Sequence, residues 1–243
     1  MNPIKTKTVA EIVTENFLAV NVLQKHGIDL FNFETKTLAE ACQQQALNLT
    51  VIEQEIRETE GIRTHHYDRW ELDYLIDYIL NNHHYFVWVN LPVIKEYALK
   101  VARTNGHKFP ETIEVNQLFK EFATELETHL DQQEHKIFPY IKQLVYAQKD
   151  GTPILHEDLQ LSVDSMKAEY RYFAAKINRI VSLMGRVEIA NWPETTAAVL
   201  LYKLRAFKQD FYQHIHLEKN ILFPKALKLE QKLGAQGYQG MRV

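Results

Sequence analysis

The chain has 243 residues, with 28 Lys+Arg against 31 Asp+Glu and a net charge of −3. That balance excludes the basic footprint of a nucleic-acid binder, and no run approaches the 18 apolar residues of a membrane span. Neither nucleic acid nor membrane is therefore an expected partner. The single cysteine, Cys42, excludes an internal disulfide and any Cys-x-x-Cys zinc site, and fits a reducing compartment. The first residues carry no apolar leader segment, so a cytoplasmic location is expected. Gly (8) and Pro (7) are each about 3% of the chain, against averages of about 7% and 5%. Few turns and long elements follow, which points to an all-α protein.

In chain order, Thr8 is placed to cap a helix over residues 9–25, with Gly27 as its stop. Residues 29–34 read as a turn. Thr37 caps a second short helix and Thr50 a third. This predicts a small three-helix N-terminal domain over residues 1–62, closed by the polar stretch 60–68. Four long helical segments follow, near 69–104, 111–148, 156–184 and 193–230. Their short Gly- and Pro-containing separators predict an antiparallel four-helix bundle over 68–232. Pro92 falls inside the first long helix and predicts a kink.

The chemistry comes from the apolar seam of each long helix, read at three- and four-residue spacing. Each seam is apolar except near its middle. The exceptions are His84 in the first helix, His129 and Gln133 in the second, Tyr170 in the third, and His214 with Glu218 in the fourth. Burying such groups costs a few kcal/mol each (about 1–3) unless something satisfies them. Alternating helix directions bring the four middles to one level, where a metal ion would satisfy imidazoles and a carboxylate together. Taken singly, a seam histidine is a hydrogen-bonded core residue and Tyr170 is packing. The one-turn spacing of His214 and Glu218 and the three mid-helix histidines point jointly to metal. Of the other histidines, His65, His66 and His156 sit near helix starts and are read as solvated. His83, His135 and His216 flank the seams, His107 lies in a loop, and His26 sits in a last helical turn.

Two segments, HLDQQEHKIFPYI (His129–Ile141) and HIHLEKNILFPKAL (His214–Leu227), resemble the paired H-x-x-x-E…F-P motifs of hemerythrin-like domains. The segment Thr8–Cys42 resembles the N-terminal domain of the iron–sulfur cluster repair (RIC) proteins. This resemblance implies a cytoplasmic bundle with non-haem iron, linked to repair of damaged iron–sulfur proteins under nitrosative or oxidative stress. It assigns His84, His129, His214 and Glu218 as ligands. Against the family pattern, Asn105 and Tyr170 stand where ligands are expected and Gln133 where a bridging carboxylate is expected. Glu134 is one residue off that position. The family's Cys-Cys-Gly-Gly turn reads Phe31-Asn32-Phe33-Glu34.

On that reading one iron keeps His84, His129 and Glu218, and the second keeps only His214. One iron is the expectation, with two irons, zinc or manganese left open. Gln133, Glu134, Tyr170 and Asn105 are substituted ligands or outer partners. Three functions compete: a repair-related iron protein, a sensor of O2 or NO, and a metal-free regulatory module whose seam groups bond one another. No catalytic residue is assigned. A homodimer is an open expectation, since the family is often dimeric and Phe31 and Phe33 stand in the N-terminal turn.

Overall fold

A computed structural model describes residues 3–59, 67–152, 158–187 and 196–240, save the side chains of 31 and 235–240. Among these residues every regular element is helical, and the lone β-bridge joins Thr8 and Thr37. The chain divides into two compact units, Met1–Arg69 and Trp70–Val243. Residues 60–66, which hold most of the expected boundary with His65 and His66, lie outside the described residues, as does His156.

Among its described residues the first unit has five short α-helices where the sequence predicts three: α1 Val9–Glu15, α2 Ala19–Lys25, α3 Leu30–Phe33, α4 Leu38–Gln44 and α5 Leu49–Glu58. The expected helix over 9–25 breaks at Asn16, whose backbone turns extended (φ −144, ψ 94) and whose side chain accepts from Leu18 N–H. The expected turn at 29–34 closes into the single helical turn α3. Asn48, not Thr50, caps α5. His26 ends α2, as its position suggests, and bonds Glu55 at 3.0 Å. Phe33 and Cys42 are buried. Thr8 and Thr37 each form a full capping box, with Glu11 and Glu40. The two boxes share the sequence Lys-Thr-[Val/Leu]-Ala-Glu, and they face each other: Val9 N–H donates to Lys36 O, and Leu38 N–H to Lys7 O. A duplicated N-cap thus ties two helix starts together and satisfies donors that a helix N-terminus leaves over.

The second unit is four rods. The first comprises α6 Leu72–Tyr78, a π-turn Ile79–His84 and α7 Tyr85–Asn105. The second comprises α8 Glu111–Gln132, a π-turn Gln133–Ile137 and α9 Phe138–Asp150. The third is α10, Leu159–Arg186. The fourth comprises α11 Thr196–His216, a π-turn Leu217–Leu222 and α12 Phe223–Gly240. Contacts run α7–α8–α10–α11 and back to α7, closing a ring, while α6 meets α9 and α9 meets α12. The early half of the first rod thus faces the late half of the second, as an antiparallel bundle requires.

Pro92 lies within continuous α-helix; the first rod departs from α geometry earlier, at Ile79–His84. The π-turns of the second and fourth rods end directly before Phe138-Pro139 and Phe223-Pro224. A proline offers no N–H and crowds the carbonyl four residues back, so a wider turn there relieves the clash.

Five phenylalanines fill the core beside the mid-level polar groups. Phe119, Phe122, Phe173, Phe207 and Phe211 form a chain of ring contacts with centroids 5.8–6.4 Å apart, mostly edge to face. Gly106 ends the first rod at close approach to the second: a Cβ built there meets Ala102 O at 2.5 Å and Ile113 Cγ1 at 2.7 Å. Gly106→Ala is therefore expected to destabilise the protein by about 1–3 kcal/mol through overpacking, read as a lowered denaturation midpoint. An unchanged midpoint would show that the turn yields freely.

Candidate metal centre

The mid-level polar groups are buried: His84, His129, Gln133, Tyr170, His214 and Glu218 are each at most 2% exposed. Three of them converge. His84 Nε2 lies 3.1 Å from His214 Nε2 and 3.7 Å from Glu218 Oε1, and His214 Nε2 lies 3.0 Å from the same oxygen. Ligand atoms about 2.1 Å from one ion stand about 3.0 Å apart on an octahedral edge and about 3.4 Å apart on a tetrahedral one. The three spacings fall around those values. Glu218 Oε1 is buried and lacks a hydrogen bond of good geometry despite its neighbours. Two imidazole nitrogens and a carboxylate oxygen, with that oxygen unsatisfied, fit a divalent transition metal.

The other carboxylate oxygen is fully engaged. Glu218 Oε2 accepts from Tyr170 O–H at 2.5 Å and from Gln133 Nε2 at 2.8 Å, and Gln133 Nε2 also donates to Tyr170 Oη at 3.0 Å. Tyr170 is therefore a neutral donor here: burial, then the charge of Glu218, push its pKa well above the usual tyrosine value. Burial opposes the charge on Glu218, but the adjacent His214 and His84 outweigh it and hold the carboxyl well below its ordinary range. Burial depresses His214. Burial also acts against a proton on His84, but Glu134 and Glu218 outweigh it, and its pKa is raised.

The sequence reading grouped His84, His129 and Glu218 on one ion; among the described residues the donor groups that lie closest together are His84, His214 and Glu218. His129 is pinned elsewhere. Its Nδ1 lies 2.5 Å from Glu169 Oε2, its ring packs on Tyr170 and Phe173, and its Nε2 is buried without a partner. Gln133, one turn on, is the residue that reaches Glu218. Asn105 does not belong to the site, because it ends a helix that places it on the order of 30 Å of rise beyond His84; its side chain contacts Thr104. Glu134 reaches the site from outside, where Oε1 lies 2.8 Å from His84 Nδ1.

The flanking histidines divide. His135 is exposed beside Asp131, and His107 is exposed. His83 and His216 are buried. His83 Nδ1 lies 2.9 Å from Asp210 Oδ1, and its ring is parallel to that of His214 at 6.1 Å. Sequence reasoning missed Asp210 and His83 as partners, and gave Glu169 no role beyond its place before Tyr170. The available signal was that each acid sits on a seam border beside or one turn from a seam group.

The hemerythrin HHE cation-binding domain matches residues 74–226. The chain belongs to the hemerythrin HHE family. It is also related to iron–sulfur cluster repair proteins. It is 22% identical over 223 residues to the ScdA protein of Staphylococcus haemolyticus, covering 89% of this chain and 96% of that one. It is 26% identical over 214 residues to the YtfE protein of Yersinia pestis, covering 87% and 92%. The YtfE protein of Yersinia pseudotuberculosis gives the same identity and coverage. Among the described residues of this hemerythrin-family chain, the matched range contains the cluster of His84, His214 and Glu218.

His216 adds a pH signature to this bundle. Burial pushes its pKa down to about 4, whereas the unfolded chain takes that proton near about 6.5. The unfolded state binds more protons between these values, so the contribution is complete above about pH 6.5 and is lost as pH falls toward 4. The loss amounts to about 3 kcal/mol. Denaturation midpoints measured with chelator across pH 4–7 should fall accordingly, and His216→Gln should flatten the slope. An unchanged slope in the variant would remove His216 as its source.

Proposed function

We propose that the bundle holds one iron ion at His84, His214 and Glu218, and that the chain serves iron–sulfur cluster maintenance under nitrosative or oxidative stress. The observation that carries this is Glu218 Oε1, a buried, unsatisfied oxygen 3.0 and 3.7 Å from two imidazole nitrogens. The ion's number follows from the rest of the carboxylate. Glu218 Oε2 is occupied by two hydrogen-bond donors, and Gln133 brings no charge to a second ion. Two histidines and one carboxylate leave coordination positions open, which is the donor set of mononuclear non-haem iron.

When bound, iron supplies a coordination position for a small ligand such as O2 or NO. The chain's own residues do the rest. Glu134 orients His84 so that its Nε2 faces inward. Tyr170 and Gln133 hold the carboxylate in one rotamer. The phenylalanine layer below, with Phe211 6.1 Å from His214, keeps that side of the site dry.

The names of the relatives supply the reaction context, in which damaged iron–sulfur proteins are the partners. Cys42, the single cysteine, offers no accessible thiolate. It is buried, and burial followed by Glu53 raises its pKa. The chain's contribution to maintenance therefore runs through the bundle and not through cysteine transfer. No described helix is long and apolar enough to cross a membrane.

Anaerobic reconstitution with Fe(II), followed by elemental analysis, should give about one iron per chain. It should also raise the denaturation midpoint in a concentration-dependent way, the unfolding free energy gaining about 2.7 kcal/mol at a hundred times Kd. His214→Ala and Glu218→Ala should abolish both effects. Two irons per chain, or none, would overturn the reading.

A further inference from the structure

Trp88 is 40% exposed on α7, one helical turn beyond His84. Its indole N–H donates to Glu134 Oε1 at 3.1 Å. That same oxygen lies 2.8 Å from His84 Nδ1. Glu134 comes from the π-turn of the second rod, with its side chain 27% exposed, while His84 is 1% exposed. The three groups form a line from the protein surface to a buried donor atom: indole, carboxylate, imidazole, then the inward Nε2.

A carboxylate in this position could turn away into water. Half-exposed glutamates have many rotamers, and a single contact to a histidine leaves most of that freedom in place. A second donor on the same oxygen, fixed to the same helix as the histidine, removes it. His84 and Trp88 lie four residues apart on one helical face, so their N–H groups reach the carboxylate as a rigid pair.

We propose that Trp88 is a positioning residue for the cation site, holding Glu134 on His84 Nδ1 so that His84 presents an unprotonated Nε2 of fixed direction. A surface indole thereby sets the affinity of a buried ligand that it does not touch. The other two buried histidines that turn Nδ1 to a carboxylate, His129 and His83, are built differently: no indole of the described residues bonds Glu169 or Asp210. This inference rests on the reading of His84, His214 and Glu218 as the cation ligands.

The test is Zn2+ affinity, measured by competition with a chromophoric chelator, in the full chain and in Trp88→Phe, Glu134→Gln and the double variant. Glu134→Gln should weaken Zn2+ binding about 10–100-fold, as loss of an outer partner does. Trp88→Phe should weaken it about five-fold in the parent and leave it unchanged in the Glu134→Gln background. The metal-free denaturation midpoint of Trp88→Phe should match the parent, because the ring is replaced at a half-exposed position. If Trp88→Phe weakens Zn2+ by the same factor with and without Glu134, Trp88 acts by packing and the proposal is overturned. It is equally overturned if Trp88→Phe has no effect while Glu134→Gln does. A parent chain that binds no Zn2+ and no Fe(II) would instead overturn the ligand assignment itself, a distinct outcome.

Discussion

The second unit is organised around one buried carboxylate. Glu218 is fully buried and ionised, and an isolated charge in such a place would be neutralised or expelled. It survives because every rod answers it. The first supplies His84, the second Gln133, the third Tyr170, and its own rod His214. Each contact fixes how far one rod slides along the next, so the carboxylate sets the register of the bundle as well as its chemistry. Removing one partner would leave the charge under-satisfied, which is far more costly than the bond itself.

Helices of uniform pitch do not bring these groups together. Three of the four rods widen into π-turns at the level of the site, while α10, which brings Tyr170 and Glu169, stays α-helical throughout. The widened turns explain what was legible in the sequence and what was not. Long rods, their separators and the mid-level polar seams follow from scarce Gly and Pro and from a period of 3.6. That period breaks at a π-turn. Leu80, four residues before His84 and on its face in a regular α-helix, turns half out, Ile79 is buried, and His83 enters the interior beside His84. In the second rod the same slip converts Glu134 from a residue about 100° off the seam into the outer partner of His84. In the first unit the missed break at Asn16 has another cause: a side-chain to backbone bond competes with the helix, and such local competition leaves no periodic trace.

The buried histidines repeat one arrangement. His83, His84 and His129 each turn Nδ1 to a carboxylate at the bundle's edge: Asp210, Glu134 and Glu169. The carboxylate side chains are 21–36% exposed, so they keep part of their hydration while holding a buried ring. From sequence alone such acids look like ordinary solvated positions on a helix border, whereas His84 and His129 stand out against the apolar residues of their seams. His214 and His216 are the exceptions. His216 Nδ1 meets the Asn220 side-chain amide at 3.0 Å. No carboxylate meets Nδ1 of His214, and the His214 ring is fixed by Glu218 one turn away and by stacking against His83.

Charge balance then separates the two occupants that the site can accept. Burial keeps His214 and His216 neutral, and Tyr170 keeps its proton. Around His84 two carboxylates, Glu218 and Glu134, both stay ionised. A proton on His84 supplies one positive charge against those two negative ones. A divalent cation in place of that proton would supply two, and would also satisfy Glu218 Oε1, which has no aligned donor. The metal-free hydrogen-bonded arrangement is thus self-consistent at Glu218 Oε2 and deficient at Glu218 Oε1. The deficiency lies where His84 and His214 present their nitrogens, so among the described residues the carboxylate that holds the rods in register also marks the position that the proposed cation would complete.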